Sequence, residues 1–207
     1  MAVDSFYEES ARNLNEKKQA RIYNLFYVGQ IVFIVFASLW TWFGMMFFLE
    51  VPSGEKTISD VLPGWILFAL MLVSFVAGAV LFALIKKRFN VSYDYLCVYG
   101  ELRISKVINQ RKRKLIARID PNAIIQVGDI DSASYDRLRS LPGIKETVCT
   151  SNYAAASGKF FMYVYAQVEG VKRLYLLECR EALLVNMMQY LRRDILDREY
   201  VPQDKKM

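Results

Sequence analysis

The residues best placed to do chemistry in this chain are basic. Lys86, Lys87 and Arg88 stand together, and Arg111, Lys112, Arg113 and Lys114 form a second run. Clustered Lys and Arg beside a bilayer attract anionic headgroups, at about 1 kcal/mol per charge close to the surface. The groups that usually carry catalysis are missing. There is no histidine, which removes Ser-His-Asp and Cys-His activation and the common zinc sets. Cys97, Cys149 and Cys179 are far apart with no C-x-x-C, and read as reduced thiols packed as small apolar residues. Asp129, Asp131 and Asp136 invite a calcium reading. Counted from Asp129, an EF-hand loop needs Gly where Ser134 stands and Glu where Ser140 stands, so the carboxylates read as a solvated helix cap. The expectation is a non-enzyme with no catalytic residue, no metal and no cofactor.

Two charge-free runs position these groups, Leu25–Leu49 and Val61–Ile85. Each covers about 37 Å as a helix, against a hydrocarbon core of about 30 Å. The first is too long for a signal core and is followed by a second span, so it reads as retained. Lys and Arg flank the pair at Arg12, Lys17, Lys18 and Arg21 and again at Lys86–Arg88, while the connecting loop carries only Lys56. The positive-inside rule then places both termini in the cytoplasm and predicts a multi-pass protein of the cell membrane. Trp40, Trp42 and Trp65 suit the outer interface and Tyr23 and Tyr27 the inner one. Gly44, Ser74 and Gly78 offer small surfaces for helix packing. No ionisable residue lies inside either run, which argues against transport by this chain alone.

The pattern yields four segments: a cytoplasmic stretch over 1–21, a transmembrane hairpin over 22–88, a domain over 89–197 and a tail over 198–207. Ser5 with Glu8 fits a capping box, so the first stretch is expected to be helical, with Phe6, Tyr7, Ala11 and Leu14 as a weak apolar stripe. Beyond Arg88 the periodicity turns to that of strands. Strands are expected over Val91–Val98, Glu101–Ile108, Leu115–Ile119, Ala123–Ile130 and Ile144–Thr150. Lys159–Gln167 and Val171–Leu177 flank Glu169-Gly170 as a hairpin. A short helix capped by Asp131 or Ser132 runs to Ser140, and an amphipathic helix over Arg180–Leu196 closes the chain. This is a membrane helical hairpin followed by an α+β domain of antiparallel sheet or barrel type.

The stretch "YDYLCVYGELRISKVINQRKRKLIARIDPNAI", with the closing "KFFMYVYAQVEGVKRLYLLECREALLVNMMQYL", resembles the bacterial pleckstrin-homology-like domains attached to small membrane proteins. With "SFYEE" and the spans it is similar to a family of two-span proteins of unknown function from Gram-positive anaerobes. The resemblance implies a fold and supplies no catalytic residues.

The net charge of +6 comes from a +8 excess in residues 86–207. That excess is diffuse and membrane-linked, and speaks for an anionic leaflet rather than nucleic acid. If the strand after Arg88 runs out and its neighbour returns, Arg111–Lys114 comes back beside Lys86, Lys87 and Arg88 and contacts headgroups. The same run also makes sense as a solvated turn whose charges discourage edge pairing. The expected function is a membrane-anchored binding module for anionic lipid or an unidentified protein partner. The alternative is an accessory or scaffold subunit of a larger membrane complex, joined through its transmembrane helices.

Overall fold

The two charge-free runs lie within two long helices, α1 at Glu16–Phe47 and α2 at Ile58–Ile85. The computed structural model describes residues 6–47 and 57–203. Ser5, the end of the first run and the loop to Lys56 lie outside the described residues. Both helices are long and apolar enough to cross a membrane. Their large apolar side chains point outward, with Leu70 at 63% and Val73 at 64% exposure. Such surface is costly in water and is at home in hydrocarbon. Between the helices, aromatic rings fill glycine positions. A Cβ on Gly44 would collide with the Phe68 ring, one on Gly78 would lie 2.5 Å from Phe33, and one on Gly29 2.5 Å from Phe82.

The chain divides into two compact units, Lys17–Phe89 and a β unit made of Met1–Glu16 with Asn90–Met207. The β unit holds two four-stranded sheets. The first has the order β1-β2-β3-β4, from Phe6–Ala11, Val91–Val98, Glu101–Ile108 and Lys112–Ile119. The second has the order β5-β7-β8-β6, from Ile124–Asp129, Phe160–Val168, Val171–Cys179 and Lys145–Val148. Val91, Tyr93, Tyr95 and Cys97 alternate inward along β2 and meet Met162, Val164 and Leu177 of the second sheet in one core. Each such side chain, once buried, contributes about 1.5–3 kcal/mol. The outer face of the second sheet is covered by α3, Ala133–Ser140, whose Tyr135 and Leu138 pack on Tyr163, Tyr165 and Leu174. Ser132 caps this helix by accepting the Tyr135 N–H.

Several expectations are corrected. The amino-terminal stretch is not a helix; Phe6–Ala11 pairs antiparallel with β2. Its inward positions are Glu9 and Ala11, and the Glu9 carboxylate finds partners across the fold that a helix would deny it. The sheet is not wholly antiparallel, because β6 pairs parallel to β8. It is reached through α3 and sits at the far edge from β5, so the chain crosses the sheet before β6 begins. The strands form two sheets rather than a single closed barrel.

The closing helix α4 is shorter than expected, Glu181–Met188. The chain then turns, and Leu196 bridges Val127 while the Asp197 N–H donates to the Val127 carbonyl at 2.8 Å. Leu191, Ile195 and Leu196 still reach the core, by a different backbone path. Two later residues also pack on the domain: the Tyr200 hydroxyl donates to Glu181 at 2.8 Å and Gln203 donates to Asp129 at 3.0 Å.

Candidate functional site

The β3–β4 hairpin carries a run of four consecutive exposed cations, Arg111–Lys114, and its turn comes back to the start of β2. Val91, the first residue of β2, pairs with Ile108, the last residue of β3. The turn places Asn109 and Gln110 in the left-handed region, at φ +51° and +55°. Asn tolerates this conformation, whereas Gln has no local compensation, so the turn carries backbone strain. It is held by hydrogen bonds to two particular residues. The Asn109 N–H donates to the Asn90 carbonyl at 2.8 Å, and the Asn90 side chain donates to the Asn109 amide oxygen at 2.7 Å. Gln110 donates to the Glu16 carboxylate. Glu16 and Asn90 are the two positions at which the β unit joins the helical pair along the chain.

Arg111, Lys112, Arg113, Lys114 and Leu115 are all exposed. The expected basic tip is mostly not a turn: β4 begins at Lys112, so three of its four cations are strand residues. Their partners across the ladder are Ile108 for Lys112, Val107 for Arg113 and Lys106 for Lys114. Lys106 and Lys114 therefore stand opposite each other as like charges, which costs stability. Neither they nor Lys112 has a carboxylate within ion-pair reach among the described residues. Arg113 reaches Asp94 at 3.4 Å, and its side chain remains 70% exposed.

The other like-charged pair in this sheet, Arg103 opposite Arg118, is bridged by Glu101 at 2.5 Å and 2.7 Å. The hydrogen bonds from Arg118 and then Arg103 hold the Glu101 carboxyl below its ordinary range. Lys106 was missed from sequence because only the register reveals what faces it.

Lys86, Lys87 and Arg88 form one short helical turn after α2. Lys86 lies over the Tyr27 ring, 4.8 Å from its centroid, and donates to the Gln30 side chain. Gly44 and Gly78 face Phe68 and Phe33 of the opposite helix, while Ser74 is exposed. Gly29, not singled out from sequence, does the same work against Phe82.

Asp129, expected among solvated carboxylates, is instead buried. Asp129 accepts the Asp131 N–H at 3.1 Å, and no cluster of metal-binding side chains occurs among the described residues. All three cysteines are buried, and burial pushes the Cys149 thiol up to about 12.

A second polar region lies where β1 meets β8. Glu178 is fully buried and accepts from Thr150 at 2.5 Å, Asn152 at 2.7 Å and the Ala156 N–H at 3.0 Å. Asn152 also donates to the Arg12 carbonyl at 2.8 Å and accepts the Leu14 N–H at 2.9 Å. Glu9 pairs with Lys159 at 3.0 Å and accepts the Arg180 N–H. These bonds tie the amino-terminal stretch into the domain.

This architecture agrees with the comparison of the chain with known families. A family model described as a bacterial PH-like domain (DUF6106) matches residues 57–197, more than half of the chain. The chain belongs to this family. The family's function is unknown, and PH-like domains are generally non-catalytic binding modules. The match also takes in α2, so the PH-like domain comes with an apolar helix ahead of its first matched strand. Neither a curated protein nor a solved structure matches the chain.

Proposed function

We propose that this PH-like protein is a membrane-anchored, non-enzymatic binding module whose β3–β4 hairpin engages anionic lipid headgroups at the cytoplasmic face. The observation that carries this reading is the anchoring of the hairpin turn to Asn90 and Glu16. Those residues are covalently next to the helices, so the cations of the hairpin belong to the end of the domain from which the anchor leaves. Arg111, Lys112, Arg113, Lys114 and Lys106 supply the domain's share of the charge, and Lys86, Lys87 and Arg88 precede the domain in sequence. At about 1 kcal/mol each near an anionic leaflet, even part of this set outweighs the cost of the unpaired Lys106–Lys114 contact. The cytoplasmic assignment follows from the Lys and Arg bias around the spans.

The accessory-subunit alternative rested on Gly44, Ser74 and Gly78, of which Ser74 stays exposed. Gly44 and Gly78 are filled by rings of the chain's own helices.

Hydrogen exchange on the full-length protein in nanodiscs tests the lipid reading. Phosphatidylglycerol added to a phosphatidylcholine matrix is expected to slow exchange across residues 109–115 and to leave β7 and β8 unchanged. Equal exchange in both bilayers contradicts it.

A further inference from the structure

Beside the hairpin, the β unit has a polar cleft of about 200 Å³ whose wall includes Ser10, Arg12, Glu16, Asp94, Gln110 and Arg113. Arg12, Arg113, Asp94 and Glu16 all contribute to the lining, so it holds as many cationic as anionic residues. A simple anion entering it meets Asp94 and Glu16, and a simple cation meets Arg12 and Arg113. A group carrying both charges satisfies both sets.

We propose that this cleft binds an ammonium–phosphate zwitterion, supplied by an aminoethyl-phosphate lipid headgroup. The lipid source rests on the reading of the hairpin end as membrane-facing. The existing contacts leave the required valences open. Asp94 accepts the Ser10 hydroxyl at 2.7 Å through one oxygen and meets Arg113 at 3.4 Å through the other. Each carboxylate oxygen has a second lone pair for an ammonium, which brings three donors. The Arg113 contact is long and its guanidinium mostly exposed, so turning it from Asp94 to a phosphate costs little. Arg12 is exposed and makes no side-chain ion pair among the described residues. It forms the second arm of a phosphate clamp, with the fork geometry that suits phosphate oxygens. The cleft thus reads headgroup identity, while the hairpin's unpaired lysines respond only to surface charge.

The test is a titration of the full-length protein in detergent with short-chain lipids bearing ethanolamine, choline or glycerol headgroups, and with free glycerophosphoethanolamine. The ethanolamine lipid is expected to bind about tenfold tighter than the glycerol lipid, the worth of one charge-assisted hydrogen bond. Asp94→Asn and Glu16→Gln, each checked for an unchanged melting profile, are expected to erase that preference. Lys112→Gln with Lys114→Gln is expected to keep it while reducing attraction to phosphatidylglycerol bilayers. Absence of the preference in the wild type, or its survival in both carboxylate variants, overturns the cleft proposal. Free glycerophosphoethanolamine binding as tightly as the lipid overturns the lipid source. Loss of the bilayer effect alone would instead remove the hairpin reading, so the two fail separately.

Discussion

The β unit contains two clusters of charge that are treated in opposite ways. Around Glu178 and Glu9, the buried carboxylates have Thr150, Asn152, Ala156, Lys159 and Arg180 as partners from distant parts of the chain. Along the β3–β4 hairpin, Lys106, Lys112 and Lys114 face solvent or one another with no carboxylate at hand among the described residues. The difference separates charges that specify the fold from charges kept for something outside it. Arg103 and Arg118 sharpen the point, since the same sheet neutralises one like-charged pair through Glu101 and leaves the other open.

The comparison breaks most visibly on the buried side. Glu178→Ala leaves three donors without this acceptor, and Glu9→Ala leaves the nearly buried Lys159 without its carboxylate, with only the Ser10 carbonyl as partner among the described residues. Each is expected to cost about 3 kcal/mol, read as a lowered thermal midpoint of the detergent-solubilised chain. On the hairpin, Lys112→Gln with Lys114→Gln is expected to weaken attraction to anionic bilayers by about 2 kcal/mol. The same double variant is expected to leave stability unchanged or raise it by a few tenths of a kcal/mol, because it relieves the Lys106–Lys114 contact.

A smaller effect concerns acid. Burial pushes the Asp197 carboxyl up, but bonds from the Tyr163 hydroxyl, the Glu199 N–H and nearby serines outweigh it and hold the group below its ordinary value. Its folded value being depressed, Asp197 stabilises the fold above the ordinary carboxylate pKa. That contribution is lost as pH falls through the lower folded value. Asp197→Asn is therefore expected to lower stability at neutral pH and flatten the acid limb of a stability–pH curve. The smallest effect is chemical. With Cys149 pushed up to about 12, a thiol reagent at pH 8 is expected to leave it unmodified until the protein unfolds.

Much of this was legible where the signal is local. The alternation of β2, the Glu169-Gly170 turn, the Ser132 cap and the two apolar runs all depend on near neighbours in sequence. What escaped depends on distant partners. Phe6–Ala11 carries a carboxylate at an inward position, which reads as polar helix until Lys159 and Arg180 are seen beside it. The apolar period after Arg180 fits one long helix, yet the pairing of Leu196 with Val127 draws the chain away after Met188. For the site, the basic run itself was plain. The clamp from Asn90 and Glu16 and the Lys106–Lys114 opposition required the register.

The central claim, that the hairpin end lies on anionic lipid, is tested most directly by a reporter at Leu115. This position is exposed and uncharged, and the native cysteines are buried, so Leu115→Cys takes a fluorophore selectively. In nanodiscs whose lipids carry headgroup nitroxides, quenching is expected to rise when phosphatidylglycerol replaces part of the phosphatidylcholine. It is expected to fall back with added salt, as the Debye length shrinks from about 10 Å at 0.1 M toward about 3 Å at 1 M. Quenching that is the same in both bilayers and indifferent to salt would contradict the account.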